Sequence, residues 1–415
     1  MYIKDRLASG LGSVLEWYDF ALYGFFAPLI TQLYFPNDTY GIGLLKTFSV
    51  FAIGFFARPV GALFFGSMND KYGRVFSLKI TPVLITIPTL LFSVLPTYGH
   101  IGICAPVILV ILRILQGFCI GGEFANNLVY MCETTNPKKL YLMGSIGSCT
   151  GTLGIFLASI IASTCYFIFS RNILLVYGWR LAFALALPLG IVTYLLRKNM
   201  KETITFSRLS NNNTISMRPL LESLKKQWQD YLIAFGITFL PATAFYYVFM
   251  FLPNFLNSHT GLTLEKNFGD NSIMLFIRLM IIPVIGFLAD KIGGINIAKF
   301  SSFSFLILSY PLVFGILYFS EYISIFILIF ALLTTLTAAT TGGLLIELLV
   351  PKTRCTIFSF TFNLCYGIFG GSVVIISLFL INNTGNNIAS VYYLLFSALI
   401  TFITTFFYKK RIYHD

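Results

Sequence analysis

Long apolar runs separated by short polar segments repeat along the whole chain. Twelve of these runs reach roughly 20 residues, the length that an α-helix needs to cross the hydrocarbon core of a bilayer. A helix satisfies its own backbone hydrogen bonds in lipid, so the pattern predicts an all-α membrane protein with twelve transmembrane helices. The predicted spans are 7–34, 44–66, 79–97, 103–132, 142–168, 175–197, 231–257, 266–290, 296–319, 323–349, 357–382 and 388–408.

One short motif occurs twice, each time where an apolar run ends. The shared positions are Gly66, Asp70, Lys71 and Gly73 in the first copy and Gly286, Asp290, Lys291 and Gly293 in the second. A second pair follows, in which Glu133 and Glu347 each precede a Pro-Lys dipeptide by four positions. Such repetition predicts two halves built on one plan, as in many secondary transporters.

The longest polar interval separates the sixth run from the seventh and predicts the boundary between these halves. We expect an N-terminal six-helix bundle over 1–197, a cytoplasmic linker over 198–229 and a C-terminal six-helix bundle over 230–415. The two bundles would then be pseudo-symmetric.

Composition agrees with a membrane protein and explains the net charge. Charged residues make up only 11% of the chain, against about 25% in a soluble protein. With both termini placed inside, 21 of the 28 Lys and Arg residues fall in inner segments, as the positive-inside rule requires. The net charge of +12 therefore needs no nucleic-acid partner, and we expect none.

Catalytic and metal-binding patterns are missing from the sequence. The seven cysteines are scattered without a Cys-x-x-Cys pair, which favours a packing role. No His-Glu-x-x-His, Gly-x-Ser-x-Gly or P-loop motif is present. We therefore expect no enzymatic activity, no cofactor and no metal, and ATP bound by this chain is not the expected energy source.

Six ionisable side chains fall at bilayer depth, away from the ends of the predicted spans, where a charge costs about 2.5–3.5 kcal/mol on insertion scales. They are Glu16, Asp19, Arg58, Arg113, Glu123 and Arg278. Arg278 is the one member from the C-terminal half, and an arginine keeps its proton. It therefore needs an anion, which could be Asp19, Glu123 or a substrate carboxylate. A pair that merely locks two helices together is the structural alternative.

Proton binding inside the membrane has few candidates. His100, His259 and His414 all fall in predicted loops or the tail. A buried carboxylate must then carry any transported proton, with a pKa set by desolvation and a nearby cation. We predict Asp19 and Glu123 as proton carriers and Arg113 as the residue that tunes them.

Aromatic and amide side chains lie at a similar depth and could line a substrate site. Aromatic rings bind quaternary ammonium groups through cation–π contacts, although ordinary packing is the competing interpretation in a chain with 17% aromatic residues. The predicted substrate-binding residues are Tyr18, Tyr23, Arg58, Asn126, Tyr246, Arg278, Asn363 and Tyr366.

The doubled motif, together with Arg113-Ile114-Leu115-Gln116-Gly117, resembles the signature of the major facilitator superfamily. Further segments resemble its metabolite:proton symporter family, with the look of the proline/glycine-betaine transporters. These segments are Leu15–Phe20, Ala57–Gly61, Gln116–Phe118, Gly121–Glu123, Gly178–Arg180 and Asn363 with Phe369–Gly371. The resemblance covers nearly the whole chain.

This resemblance implies a cytoplasmic latch that breaks when the halves rock. Asp70 would face the amino end of helix eleven, and Asp290 would face helix five. A charge cluster that only sets topology is the alternative. The expected gating residues are Gly66, Asp70, Lys71, Gly73, Arg74, Glu133, Gly286, Asp290, Lys291 and Glu347.

Two departures from the family pattern affect these expectations. Gly294 stands where the family usually has Arg, so we expect the second latch to be the weaker one. Arg278 is not expected in the proline/betaine group and indicates a carboxylate-bearing or more anionic substrate.

The sequence therefore predicts a monomeric secondary transporter in a bacterial inner membrane, with both termini cytoplasmic. It would move a small zwitterionic or carboxylate metabolite together with a proton, by alternating access. Uniport or exchange of the same solutes is the alternative, and a membrane sensor that no longer transports is a remote one.

Overall fold

Twelve long helices, α1–α12, form the body of the protein. The computed structural model describes residues 2–253, 255, 256 and 264–411, without the side chains of 40, 264–271 and 320. The helices are Ile3–Phe25, Tyr40–Tyr72, Arg74–Val94, Cys104–Glu133, Leu140–Ile168, Arg171–Arg197, Trp228–Phe251, Leu264–Ile292, Gly294–Tyr318, Ile323–Leu348, Arg354–Thr384 and Asn387–Phe407. His259 and His414, which the sequence places in a loop and the tail, lie outside the described residues.

Eleven helices in the described part of the chain, α2–α12, are long and apolar enough to cross a membrane. α1 completes the predicted twelve with 23 residues, but its carboxylates and polar aromatic residues lower its hydropathy. The predicted first span 7–34 was too long, because α1 ends at Phe25 and a separate helix covers Ala27–Tyr34. Pro28 opens this second helix, where its missing N–H costs no hydrogen bond.

Helices α4 and α11 are irregular near the centre of the bundle. In α4, Cys104–Ile120 and Phe124–Glu133 are separated by a turn at residues 121–123. In α11, a π-helical segment Leu364–Gly370 follows the regular helix Arg354–Asn363. Such irregular turns free backbone groups for other contacts and often mark functional sites.

The helices pack as two six-helix bundles, α1–α6 and α7–α12, whose main contacts are made by α2 with α11 and by α5 with both α8 and α10. Within the bundles, α1 packs along α5, α2 along α4, and α7 along α12. Between them, α2 packs along α11 and α5 packs along α8. The polar segment that connects α6 to α7 contains the short helices Ile204–Asn211 and Pro219–Lys226. We call the end of the molecule that carries this segment the linker end.

Both copies of the doubled motif make a sharp turn between two helices. Gly73 has φ +113° between α2 and α3, and Gly293 has φ +90° between α8 and α9. Residues with a Cβ rarely adopt this backbone conformation, which explains why glycine occurs at both positions.

Gly61 brings α2 and α4 into direct backbone contact. A Cβ at this position would overlap Phe118 of α4, with its backbone carbonyl oxygen nearest and its Cα at 2.9 Å. Neither helix can move away without disturbing the packing on its other side.

We expect Gly61→Ala to destabilise the folded protein by about 1–3 kcal/mol, the usual cost of overpacking. Thermal unfolding in detergent measures the effect. Gly41→Ala is the matched control on the same helix, since a Cβ there meets no atom within 4 Å. Equal melting temperatures for the two variants would contradict this packing.

Candidate functional site in the centre of the bundle

The first buried ion pair joins α1 to α4. Asp19 Oδ2 accepts a hydrogen bond from Arg113 Nη1 at 3.3 Å, while its Oδ1 accepts from Thr89 at 3.0 Å and from Gln116 at 3.2 Å. The Arg113 guanidinium lies over the Tyr23 ring, with Cζ 4.0 Å from the ring centroid. Nε and Nη2 of Arg113 have no hydrogen-bond partner within the described part of the chain. This cation is therefore only partly neutralised.

The second ion pair lies in the N-terminal half, and its arginine also contacts the other half. Arg58 Nη2 donates to Glu16 Oε1 at 2.7 Å, and Arg58 Nε donates to Asn363 Oδ1 on α11 at 3.1 Å. Asn363 in turn donates to the carbonyl of Gly121, in the turn that interrupts α4, at 2.8 Å. All three polar side chains are at most 2% exposed. The sequence placed Arg58 and Asn363 in the substrate site, and the structure brings them together with Glu16.

The third ion pair was missed by the sequence analysis. Arg197, assigned there to an inner segment, is fully buried at the end of α6 and pairs with Glu123 through Nη2–Oε1 at 2.5 Å and Nη1–Oε2 at 3.0 Å. Thr81 also donates to this carboxylate. Glu123 therefore pairs with Arg197, and Arg113 pairs with Asp19. Three acids and two bases in the predicted N-terminal spans were the clue that a third base was needed.

Arg278 has no carboxylate partner among the residues that the structure describes. Its Nη1 donates to Thr334 at 2.6 Å, and its Cζ lies 5.4 Å and 5.3 Å from the ring centroids of Phe245 and Phe249. Its Nε has no hydrogen-bond partner among these residues. The side chains of Glu265 and Asp270, two acids of the same helix α8, lie outside the described residues. Arg278 is 5% exposed, so this positive charge is desolvated.

A small cavity lies beside Arg278, between the two halves. Its volume is about 30 Å³, enough for about one or two water molecules. The lining is mostly aromatic and small residues: Trp17, Phe124, Leu128, Ser148, Gly151, Thr152, Ile155, Phe245, Arg278, Ala338, Thr341, Gly342, Phe362 and Tyr366. The indole Nε1 of Trp17 has no hydrogen-bond partner within the described residues. The cavity thus combines a cation, aromatic faces and the free indole donor of Trp17.

The predicted aromatic residues divide into two groups. Tyr366 lines the cavity. The Tyr246 ring packs against the Tyr366 ring, with their centroids 6.5 Å apart. Tyr18 and Tyr23 point away from it, since their hydroxyls donate to the carbonyls of Ala182 at 2.7 Å and Thr47 at 3.1 Å. The Tyr246 hydroxyl has no partner within the described part of the chain.

Asn126 lies nearer the linker end than the cavity does. Its Nδ2 donates to the Arg74 carbonyl at 2.8 Å and to Ser77 Oγ at 2.9 Å. These contacts fix α4 to the start of α3.

At the linker end, Asp70 of α2 holds the start of α11. Its carboxylate accepts hydrogen bonds from the backbone N–H groups of Cys355 at 3.1 Å and Thr356 at 2.8 Å. A carboxylate is stabilised there by the free N–H groups and the dipole of the helix. Gly66, one turn earlier, lets the backbones approach, since its Cβ would lie 2.8 Å from the Cys355 carbonyl. This is the first latch between the halves.

Charged groups surround the first latch. Glu133 bonds to Arg74 at 3.2 Å and to Arg354 of the other half at 2.8 Å. Arg74 also donates to Asp70 at 3.0 Å and to the carbonyl of Pro351 at 2.5 Å. Charge-assisted bonds of this kind are stronger than neutral ones. Lys71 points elsewhere, with Nζ 5.0 Å from the Tyr72 ring centroid.

Glu202, in the segment that connects α6 to α7, caps the start of α3. Its two carboxylate oxygens accept from the N–H groups of Arg74 and Val75, each at 3.1 Å. Burial raises the pKa of Glu202, while these N–H groups oppose that shift. The sequence analysis did not find this residue, because a cap supplied from a distant segment leaves no local pattern.

The second latch repeats the geometry with different neighbours. Asp290 of α8 accepts from the N–H groups of Tyr141 at 2.8 Å and Leu142 at 3.0 Å, at the start of α5. Gly286 lets α8 and α5 approach closely here, because a Cβ at this position would lie 2.8 Å from the Tyr141 carbonyl oxygen. Lys291 lies to the side, 4.4 Å from the Phe287 ring centroid.

Gly294 changes how the second latch is held. The Tyr141 ring from the other half lies against Gly294, in space that a side chain there would occupy. The Tyr141 hydroxyl then donates to Glu347 at 2.6 Å, and Tyr408 and Lys410 donate to the same carboxylate at 3.1 Å and 2.6 Å. A tyrosine thus contacts Glu347 where the first latch has an arginine on Glu133.

The Glu123–Arg197 pairing gives a testable consequence for stability. We expect Arg197→Met to destabilise the protein by about 3–5 kcal/mol, because Glu123 would be left as a buried, unpaired charge. Adding Glu123→Gln to this variant removes that charge and should recover part of the loss. Thermal unfolding of the two single variants and the double variant measures the coupling. Purely additive effects would contradict the pairing.

The chain is similar to known membrane transporters along nearly its whole length. A family model described as the Major Facilitator Superfamily matches residues 10–375. The glycine betaine/proline/ectoine/pipecolic acid transporter OusA of Dickeya dadantii (strain 3937) is 29% identical, over 98% of this chain and 83% of the relative. The proline/betaine transporter of Escherichia coli (strain K12) is 28% identical, over 97% and 82%.

The fold itself is shared with solved transporters. A structure of the proton:xylose symporter XylE bound to 6-bromo-6-deoxy-D-glucose superposes with a TM-score of 0.77 at 14% identity, covering 97% of this chain and 94% of the other. At this identity the likeness concerns the fold alone, and it confirms the predicted all-α architecture. The resemblance seen in the sequence is confirmed as well: the chain belongs to the Major Facilitator Superfamily and is a multi-pass membrane transporter.

Proposed function

We propose that this transporter carries a small zwitterionic or carboxylate metabolite into the cell together with a proton, by alternating access. Arg278 beside the central cavity is the observation that carries the substrate part of the proposal. A buried guanidinium without a carboxylate partner among the described residues is costly, and an anionic group of the substrate would neutralise it. The two halves meet at this point, as expected for the binding site of a secondary transporter.

The aromatic lining supports a substrate that also carries a positive charge. Trp17, Phe245 and Tyr366 surround the cavity, and aromatic faces attract ammonium groups in desolvated sites. The two relatives named above transport, by their names, proline and betaine, both of which combine a carboxylate with a cationic nitrogen. A zwitterion would place its carboxylate on Arg278 and its cationic nitrogen against the rings.

Asp19 is the proposed proton carrier. Its carboxylate is fully buried and bound by a cation that keeps free donors, so a proton and Arg113 can compete for it. Glu123 was the other candidate in the sequence. Both of its oxygens are occupied by Arg197, which makes it the less suitable site and favours a structural role.

The two latches support alternating access. Both hold the halves together at the linker end, so the structure corresponds to a state closed on that side. Most basic residues of the connecting segments lie at this end, and we assign it and both termini to the cytoplasm. Substrate release there requires both latches to open, as the halves rock about the central site.

Arg278 can be tested by comparing two ligands that differ in the carboxylate. Glycine betaine has a quaternary ammonium and a carboxylate, whereas choline keeps the ammonium and lacks the carboxylate. We expect Arg278→Gln to weaken glycine betaine binding about 10- to 100-fold, because a charge-assisted hydrogen bond of ~1.5–3 kcal/mol is lost. Choline binding should change little.

Isothermal titration of the purified protein provides the measurement. Arg171→Gln, on the exposed start of α6, is the matched control and should bind both ligands as the wild type does. Equal weakening of both ligands by Arg278→Gln would contradict the proposed carboxylate contact. If neither ligand binds the wild type, the same pair of variants can be applied to proline and to organic acids.

Asp19 can be tested by separating proton-driven uptake from exchange. In proteoliposomes with an inward proton gradient, we expect Asp19→Asn to lose accumulation above equilibrium while it keeps substrate counterflow. The neutral amide retains hydrogen bonds but binds no proton. If Asp19→Asn still accumulates substrate, it does not carry the coupled proton, and absence of gradient-driven uptake in the wild type would favour uniport or exchange.

A further inference from the structure

Helices α2 and α11 are joined at two separate levels. At the linker end, Asp70 of α2 holds the N–H groups of Cys355 and Thr356. Near the centre, Arg58 of α2 holds Asn363 of α11. Twelve residues separate Arg58 from Asp70, which is about 18 Å along a helix. Separation of these helices along their whole length requires both contacts to break.

The central contact depends on a carboxylate. Arg58 donates a hydrogen bond from Nη2 to Glu16 and another from Nε to Asn363, so the same planar guanidinium makes both bonds. The carboxylate fixes the plane of this group, and the plane fixes the direction of the Nε bond. We call this arrangement the Glu16–Arg58–Asn363 pin.

Glu16 has one oxygen free to take up a proton. Its Oε2 is buried and has no hydrogen-bond partner within the described residues, although Oε1 is bound to Arg58. The charged or titratable groups that interact electrostatically with the Glu16 carboxylate are Arg58 from α2, Glu123 from α4 and Tyr246 from α7. The Phe124 backbone N–H of α4 also acts on this carboxylate. The charge of Glu123 is already neutralised by Arg197. Arg58 is therefore the charged group that acts most strongly on the Glu16 carboxylate.

We propose that Glu16 is a second, proton-sensitive residue of the transport cycle, which controls the α2–α11 contact through Arg58. When Glu16 is ionised, the ion pair orients Arg58 towards Asn363 and the pin is closed. When a proton binds Oε2, the carboxyl is neutral, Arg58 loses its counter-charge and its bond to Asn363 weakens. The linker end then opens more readily.

This role is distinct from that of Asp19, whose contacts all lie within the N-terminal half. Glu16 acts through Arg58 on the other half and is a positioning residue. The inference rests on the proposed proton-coupled cycle, but its test needs neither substrate nor a proton gradient. Failure of the proposed coupling and failure of the pin are therefore observed separately.

Hydrogen–deuterium exchange of the full-length protein measures the opening. The N–H groups of Cys355 and Thr356 are protected by Asp70 and exchange when α2 and α11 part. Exchange is followed by mass spectrometry between pH 7 and pH 9, so that the Asp70 carboxylate that accepts these N–H groups keeps its charge, and it is corrected for the intrinsic rate at each pH. For the wild type we expect protection to fall about fivefold at the lower pH, because Arg58 then faces a neutral instead of a charged Glu16 and the central contact weakens.

Three variants separate the pin from general effects. Glu16→Gln should show the low protection at every pH, since the amide cannot ionise. Glu16→Asp keeps a titratable carboxylate and should restore the pH dependence, which a merely structural role of Glu16 would not predict. Glu222→Gln makes the same chemical change on the connecting segment, where Glu222 pairs with Lys352, and should behave as the wild type.

The outcomes decide the proposal in either direction. Loss of pH-dependent protection in Glu16→Gln, together with its return in Glu16→Asp, supports the pin. Wild-type pH dependence in Glu16→Gln overturns it, and so does a wild type without pH dependence. If Asp19→Asn loses the pH dependence while Glu16→Gln keeps it, the effect belongs to Asp19. That result would also overturn the proposal.

Discussion

The pairing of buried arginines with carboxylates is the constraint on which the rest of this structure depends. Removing an ion from water costs several kcal/mol, and only a well-placed counter-charge offsets that cost. Asp19–Arg113, Glu16–Arg58 and Glu123–Arg197 meet this requirement inside the N-terminal bundle. They fix the relative positions of α1, α2, α4 and α6, and they leave Arg278 as a desolvated cation that lines the cavity without a carboxylate partner among the described residues.

In the proposed transport cycle, the same chemistry serves movement as well as stability. Two carboxylates at the linker end, Asp70 and Asp290, hold helix N-termini of the opposite half, and these bonds can break without leaving a charge deep in the bundle. The Arg58–Asn363 contact lies closer to the cavity, where the two halves meet. Contacts that close the molecule are thus distributed along α2 and α11, from the linker end to the centre.

Much of the fold and part of the site could be predicted from the chain. Apolar run lengths predicted the membrane helices, since a helix must span a fixed thickness of hydrocarbon. The doubled motif indicated two related halves. The partners of the buried charges were harder to predict. Arg197 has the sequence context of a loop charge, yet it pairs with Glu123, while Arg113 pairs with Asp19, because helix rotation decides which side chains meet. The hydrogen bond from Tyr141 to Glu347 could not be foreseen, because it joins residues of the two different halves.

By itself, the sequence determined the class of protein, the number of helices, the repeat and which charges must be buried. These properties follow from local composition and spacing, which act over one helix at a time. The tertiary structure decided which acid meets which base, which tyrosines face the cavity and which glutamate keeps a free oxygen. Such choices depend on the rotation and depth of helices that are distant in the chain, and only the packed bundle defines them.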